Sequence, residues 1–439
     1  MELLEVKLGG ICNIKSTHLR LGKNITSLVS TNNYGKSNLI RAFSFLLSFI
    51  HVAPAIKSRM MSDPFFIPLN KVTAHKNFFA ELTFSLELSG ELHFVKYSFE
   101  FEWRKNSENS NGGKRIVGES LSISPAGNHQ KYSSLIRRRE VAKYKASQTG
   151  RCDKHVNVRD NELLANKLLL EDSLYWYPIL EALESLNMYI ERHLDVAPMY
   201  IPNFLISKEQ EGFNINAVND VPRMLYELQE KDKSSCMRLL DAFGQLFPDL
   251  KMMLYSAKLD KEQSHPLQLP DDIPYSVSEV IYYILVQDKN LNQPINFNML
   301  SDGTKRLFTL LLYAVIAGRS GLRVIAIEEP ENSIHPALLQ DFLNVLSQLA
   351  GNCKILLTSH SPYIIQYVRT EDIYIGRPNE YGLADFSRIS AKKQKNLMRE
   401  VRREGCDVGS YIFDLLSGGD SNAELLNSYL EDEEKIEND

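Results

Sequence analysis

Cysteine is scarce and scattered: five residues in 439, at Cys12, Cys152, Cys236, Cys353 and Cys406. Their odd number and wide spacing exclude a zinc pattern or a disulfide framework and fit a reducing, cytoplasmic compartment. No stretch reaches ~18 uninterrupted apolar residues, so no membrane span is expected. The N-terminal MELLEVKLGGI has no basic segment followed by an apolar one, so no signal peptide is expected. A net charge of −5 argues against a uniformly basic nucleic-acid coat but leaves room for a local basic patch. There is no internal repeat and no low-complexity segment. The apolar positions of 161–194 do not hold as heptads, so a long coiled-coil arm is not expected. What remains is a chain with 44% hydrophobic and 24% charged residues, enough for a large core in two or three domains, or in one with insertions.

One stretch organises the rest, from Leu28 to Ile40 (LVSTNNYGKSNLI). Ile25 to Val29 is short, apolar and rich in β-branched residues, as a buried strand would be. After Gly35-Lys36-Ser37 the apolar residues Leu39, Ile40, Phe43, Leu46 and Leu47 follow at helical spacing. A strand, a polar loop and a helix start in this order form an anion site: backbone N–H groups and the positive end of the helix dipole face one point. There Lys36 would neutralise β/γ-phosphate charge, and the Ser37 hydroxyl would complete a Mg²⁺ shell. Ser30 stands where the pattern G-x-x-x-x-G-K-[ST] has its first glycine, and a positive φ there would cost a serine more than a glycine.

Along the chain, residues 1–29 read as two or three strands. Residues 52–76 show no period. From Phe78 an alternating pattern predicts antiparallel strands, with a turn at Gly90-Glu91 and a further strand over 116–123. Residues 125–160 are polar and carry Arg137-Arg138-Arg139, Lys143 and Lys145; such a run is most often a solvated face. Residues 161–194 and 217–247 read as helical, with Pro178 as a break or helix start. The segments 252–259 and 275–286 fit strand or helix equally.

A second informative block spans 299–375. Val324 to Ile327 is a buried-type strand that delivers Glu328 and Glu329 at its C-terminal end, where an open α/β sheet places its ligands. Glu328 is assigned to the metal and Glu329 to the proton of an attacking water. The other reading, an acid-rich helix start, does not account for the strand directly before the acids. The strand Cys353 to Thr358 ends in Ser359-His360-Ser361-Pro362, and His360 there could hydrogen-bond a γ-phosphate. Upstream, Ser301, Asp302 and Gly303 open a strongly apolar helix. Ser301 suits an N-cap and Gly303 permits close backbone approach, although a capped core helix would look the same.

Together these segments resemble, in order, the motif set of ABC-type ATPases: Walker A at Ser30 to Ser37, the signature at LSDGTKR, Walker B with catalytic glutamate and D-loop at IAIEEPENSIHP, and the switch-histidine segment at TSHSP. More narrowly the chain is similar to the soluble AAA/ABC ATPases akin to RecF and the OLD proteins. The resemblance covers about 1–50 and 295–375. It implies an α/β, ABC-type ATPase head with a mixed sheet, a P-loop and an antiparallel β subdomain, carrying a helical insertion. The expected layout is an N-terminal ATPase lobe at 1–124, a mainly helical insertion at 125–295, a C-terminal lobe at 296–384 and a helical tail at 385–439. It further implies ATP and Mg²⁺ as ligands. ATP would be bound by Asn32, Asn33, Gly35, Lys36, Ser37, Asn38, Ser301, Asp302 and Gly303, and the metal by Ser37 and Glu328; Glu329 and His360 would be catalytic. Heads of this class pair with ATP between them, so a homodimer or higher homo-oligomer is expected, with Asn332 to His335 near the seam.

OLD-type nucleases carry a Toprim domain after the ATPase. Only about sixty residues follow Gly376 here, with a basic helix-like run at 392–403 and no D-x-D cluster. The expectation is therefore an ATPase subunit that senses infection and controls a separate effector protein, a nuclease, as in PARIS-type and Septu-type anti-phage systems. A RecF-like repair ATPase that binds DNA through the basic runs at 137–145 and 392–403 is the alternative, as is an ATP-bound scaffold with little turnover.

Overall fold

The computed structural model describes residues 1–31, 34–62, 67–103, 115–127, 131–191, 197–201, 205–207, 220–258, 270, 273, 275–318, 322–332, 334–378, 381–418 and 420–431. The chain forms two compact units. The first comprises Met1–Ile190, Ala326–Glu328 and Lys354–Asp439, and the second Glu191–Ile325 and Glu329–Cys353.

The first unit is built on one large mixed sheet. At its centre the strand Ile25–Val29 is flanked on both sides by parallel partners, Lys354–Ser359 and Ile373–Pro378. All three are short and apolar, as strands buried on both faces must be. Beyond them the sheet becomes antiparallel, through Ile14–Arg20 and Glu2–Ile11 to Phe78–Leu88, Glu91–Phe101 and Ile116–Pro125. The Phe78–Leu88 and Glu91–Phe101 strands alternate apolar and polar residues, and a two-residue turn joins them. Ser89 and Gly90 in that turn both take positive φ, 52° and 84°, as a tight hairpin between right-twisted strands requires.

The helix Lys36–His51 packs its aromatic side chains onto this antiparallel part. Phe49 stacks on Phe99 and Phe101 at ring distances of 5.2 and 4.9 Å, and Phe45 meets Phe78 edge-on at 5.5 Å. Trp103 closes the cluster and donates its indole N–H to the Gly10 carbonyl. Truncating one such ring would cost on the order of 3–5 kcal/mol. The loop helix is thus held by the sheet it was expected to precede, not by its own propensity.

In the second unit the helix Asp302–Ala317 is buried along almost its whole length after Thr304. A helix apolar on all sides must be enclosed, and here Lys233–Leu246 and Pro336–Ala350 pack against it. Phe243, Phe297 and Phe308 pack together, and Tyr200 stacks on Phe297.

Several local expectations need correction. The segment 125–295, expected to be mainly helical, contributes the hairpin strands Ser133–Arg138, Ala142–Lys145 and Cys152–His155 to the first sheet. It also forms a long antiparallel pair, Leu250–Lys258 with Val280–Asp288. The first three were missed because polar and charged residues dominate them and Arg138 itself is buried, which hides a period of two. The run at 137–145 is also not wholly a solvated face. Arg138 is buried and donates to the carbonyls of Glu162 and Arg159. Residues 52–76 are not irregular throughout, since Pro54 opens a short helix, Pro54–Met60. Among the described residues of 161–194 the helices are Leu164–Leu168 and Tyr177–Glu184, followed by the strand Met188–Glu191.

That short helix buries Lys57. Its ammonium caps the end of the loop helix by donating to the carbonyls of Ile50 and Val52. Burial pushes its pKa down to about 8, with Glu119, Glu184 and Glu162 opposing. A lysine whose folded pKa is lowered binds fewer protons in the folded state than in the unfolded one between these values, so stability rises with pH from about 8 towards about 10.5. Chemical denaturation at pH 7.5 and 9.5 should show wild type gaining stability relative to Lys57→Met over that interval; parallel curves would contradict it.

Candidate functional site

The loop between the strand Ile25–Val29 and the helix Lys36–His51 leaves the sheet at Val29. Register places Val29 beside Ser359 on one side and Ile375 on the other, so Ser30, His360 and Gly376 emerge at the same level. This is the carboxyl edge of the parallel strands, where α/β sheets hold their ligands. Ser30 is buried, its backbone φ is not positive, and its hydroxyl donates to the Thr31 carbonyl. The glycine-to-serine change therefore carries no left-handed strain. Gly376 beside it leaves the room: a Cβ there would lie 3.0 Å from Ser30 Cβ and 2.7 Å from the Phe386 ring.

Gly35 is the position that cannot change. It has φ 97° at the N-cap of the loop helix, and a Cβ there would lie 2.6 Å from Ala384 Cβ. Asn38 Nδ2 donates to Asn13 Oδ1, and Asn13 Nδ2 donates to the Gly382 carbonyl, which ties the loop helix to the hairpin beyond it. Asn13 was not found from sequence, because it lies in a strand turn with no motif around it. Asn32 and Asn33 lie outside the described residues.

Lys36 is buried. Its Nζ donates to the carbonyls of Ser30 (2.9 Å) and Thr31 (3.3 Å), to Ser30 Oγ (3.2 Å) and to His360 Nδ1 (3.0 Å). An ammonium can only donate, so His360 accepts through Nδ1 and carries its proton on Nε2. The imidazole thus has its donor end turned from the lysine. The Thr31 hydroxyl is buried and has no hydrogen-bond partner among the described residues.

Ser37 Oγ donates to Glu328 Oε2 at 3.1 Å, so the two expected metal ligands meet across 291 residues of sequence. Both supply hard oxygen, and no group of three or more His, Cys, Asp or Glu suited to a metal is found among the described residues. Two protein oxygens with the remaining positions left to water and phosphate is the donor set Mg²⁺ takes in nucleotide sites. The residues present therefore fit that ion.

In the second unit, Ser301 caps the Asp302–Ala317 helix by accepting from the Thr304 N–H. Ser301 and Asp302 are exposed, so the helix N-terminus is open to an anion. Four residues on, Arg306 is 2% exposed and pairs with Glu191 through Nε at 2.8 Å and Nη2 at 2.7 Å. Its Nη1 donates to the carbonyl of Glu329 at 3.3 Å. Glu329 has φ 50°, a left-handed backbone costing a non-glycine residue ~1–2 kcal/mol. Asn332 Nδ2 donates to Glu329 Oε2 at 2.7 Å, and the Asn332 N–H to the Glu329 carbonyl. A strained acid with both its carbonyl and its carboxylate held is the pattern of a placed functional group. Arg306 sat inside a recognised motif, but its partner Glu191 is 115 residues away with no local signal. His335 caps the helix Pro336–Ala350 through Nδ1, and residue 333 lies outside the described residues.

A family model described as "AAA domain, putative AbiEii toxin, Type IV TA system" matches residues 191–366. Those residues include Ser301 to Gly303, Glu328, Glu329 and His360. No curated protein matches the sequence. Among solved structures, an SMC head bound to the C-winged helix domain of ScpA matches with TM-score 0.51 and 11% identity over 90% of this chain and 100% of that one. The SMC head domain from Thermotoga maritima gives 0.43 and 11% over 89% and 100%. The Smc head domain with an extended coiled coil, bound to the C-terminal domain of ScpA derived from Pyrococcus furiosus, gives 0.44 and 11% over 91% and 99%. The first likeness shows the fold alone: a mixed α/β fold like that of an SMC head.

Gly35→Ala forces a methyl into Ala384 at a left-handed position. It should weaken binding of a fluorescent ATP analogue at least tenfold in titration, whereas Ser30→Gly should change it less than threefold. Arg306→Ala leaves Glu191 buried without its partner and should cost about 3–5 kcal/mol in chemical denaturation. Arg306→Met combined with Glu191→Leu should recover most of that loss. Failure of the double variant to recover would mean that the Arg306 bond to Glu329 carries the effect.

Proposed function

We propose that this chain is an ATP-binding and ATP-hydrolysing head that works as a pair and controls a separate effector protein in anti-phage defence. The observation that carries the reading is the convergence at one sheet edge of Lys36, His360, Ser37 and Glu328. Nothing in core packing calls for a buried ammonium, an imidazole, a hydroxyl and a carboxylate at the end of three apolar strands. A nucleoside triphosphate calls for all four.

Each residue has a definable part. The Lys36 ammonium leaves the loop oxygens for the β/γ-phosphates, a short motion from oxygen to oxygen. His360, protonated on Nε2 while it faces Lys36, offers a donor to a γ-phosphate oxygen. Ser37 and Glu328 hold Mg²⁺, which supplies charge neutralisation at the phosphates. Glu329 accepts the proton of the attacking water, and Asn332 with Arg306 keeps its carboxylate and backbone in place. Ser301, Asp302 and Gly303, open at their helix N-terminus, receive the γ-phosphate bound by a second copy. Hydrolysis then depends on pairing, and the paired state is the signal.

The defence setting draws on the family description, which names a putative toxin of a type IV TA system. The separate effector draws on the SMC head, which is bound to a domain of another protein, ScpA. A head of this fold can therefore present a surface to a separate chain. In this reading the effector is a nuclease, and the complex is cytoplasmic. No helix among the described residues is long and apolar enough to cross a membrane.

Lys36→Ala should abolish ATP binding. Glu329→Gln should keep ATP binding but lower turnover by ~10²–10⁴-fold, the usual scale for a lost general base. It should also accumulate as an ATP-bound pair in size-exclusion chromatography. Affinity capture of this variant with ATP, from cells that also express the neighbouring gene product, should retain that product stoichiometrically. Wild-type turnover in Glu329→Gln would remove Glu329 from the chemistry. Capture of no second protein would remove the effector.

A further inference from the structure

The helix Gln394–Glu404 in the first unit has two opposite stripes. Leu397 and Val401 are buried, and the helices Val408–Ser417 and Asp420–Tyr429 pack against this helix. On the far side, Lys395, Arg399 and Arg402 are exposed at i, i+4 and i+7, within one narrow arc. They line an open groove of about 480 Å³ together with Gln394 and Met398. No acid lines it. Lys392, also exposed, precedes the helix.

Neighbouring cations are accounted for and these are not. Arg403 pairs with Glu400, and Lys393 donates to the Leu430 carbonyl. Lys395, Arg399, Arg402 and Lys392 have no ion pair among the described residues. Helix stability accounts for Arg402, in the last turn, but not for Lys395, which lies in the first turn, where cations are disfavoured and there is no acid. The whole chain carries a net charge of −5, so this concentration is local. The other basic run differs: its central member, Arg138, is turned inward onto backbone carbonyls.

The helix behind this stripe reaches the phosphate site. Gly409, in the first turn of Val408–Ser417, lies so close to the helix Pro362–Tyr367 that a Cβ would come within 2.1 Å of the Pro362 carbonyl. Pro362 is two residues from His360, which receives the Lys36 ammonium. The contact is backbone on backbone, with no side chain to absorb a shift.

We propose that Lys392, Lys395, Arg399 and Arg402 bind the phosphate backbone of a nucleic acid, and that the Gly409–Pro362 contact carries occupancy of this groove to the His360 segment. From Lys395 to Arg402 the cations span seven residues of helix, ~10 Å, the scale of two to three phosphates along one strand. Met398 between them gives an apolar surface for sugar. The contact reads backbone and not bases, so it is independent of sequence.

The binding part is independent of ATP hydrolysis and is tested without nucleotide. The probe is a fluorescent 20-bp duplex, titrated by anisotropy between 50 and 200 mM KCl. Loss of three phosphate contacts should flatten the slope of log K against log salt by about 2.7 in Lys395→Gln/Arg399→Gln/Arg402→Gln. Affinity at 100 mM salt should fall more than tenfold, whereas Arg137→Gln/Arg139→Gln should change it less than threefold. Poly-glutamate at equal charge should compete poorly. An unchanged slope in the triple variant, or displacement by poly-glutamate as effective as by unlabelled duplex, would overturn the assignment, the latter in favour of an acidic protein. For the relay, hydrogen exchange with the duplex bound should slow in 362–367 and 408–417 of wild type. Protection confined to 392–404 would leave a docking surface and remove the relay.

Discussion

The parallel register that sets Val29 beside Ser359 is the constraint on which the rest of the site depends. It brings two loops out of the sheet at one level, and the Lys36 ammonium lies between them, shared by carbonyls of one and the imidazole of the other. A one-residue slip would turn every side chain of the strand to the other face and part the two loops. What fixes the register is burial on both faces, since Leu28, Val29, Leu356 and Leu357 are fully enclosed. The hydrophobic core thereby sets the position of a charge. The aromatic stack of Phe49 with Phe99 and Phe101 does the same for the loop helix, from the other end.

The same logic recurs around Glu329 by a different device. Its backbone is held in a disfavoured conformation, and the stabilisation comes from polar contacts. Arg306 reaches it only because Glu191 neutralises and orients the guanidinium in the core. Buried ion pairs of this kind contribute little net stability, but losing either partner is costly. The placement of Glu329 is thus tied to the integrity of the unit's interior. The helix that makes this tie also offers Ser301 and Asp302 at its exposed start. One rigid element therefore bears on both the strained acid and the anion-ready terminus.

Much of this was legible in the sequence, and the gaps have physical reasons. Strand, loop and helix around Lys36 show themselves through short-range period and composition, and so do the strand ends at Glu328 and His360. Pairing of Ser37 with Glu328 was implied only through the motif order. Asn13 and Glu191 left no trace, because a hydrogen bond between residues far apart in sequence has no sequence period. The strands between 133 and 155 were hidden by their polar and charged residues. Ser30 illustrates the opposite error. The expected strain rested on a required left-handed backbone, and the loop does not use one there. The room for its side chain comes from Gly376, on the neighbouring strand.

The position of Ile25–Val29 has a consequence for how the chain is made. It is an interior strand, yet both of its neighbours, Lys354–Ser359 and Ile373–Pro378, lie more than three hundred residues later. At ribosomal rates of ~5–20 residues per second, its two edges stay unpaired for roughly 15–70 s while the remainder is synthesised. Through that interval a largely apolar strand is a template for mispairing. The Lys36 ammonium cannot take its place between Ser30 and His360 until the strand Lys354–Ser359 arrives. The geometry at this sheet edge is therefore completed late in biogenesis.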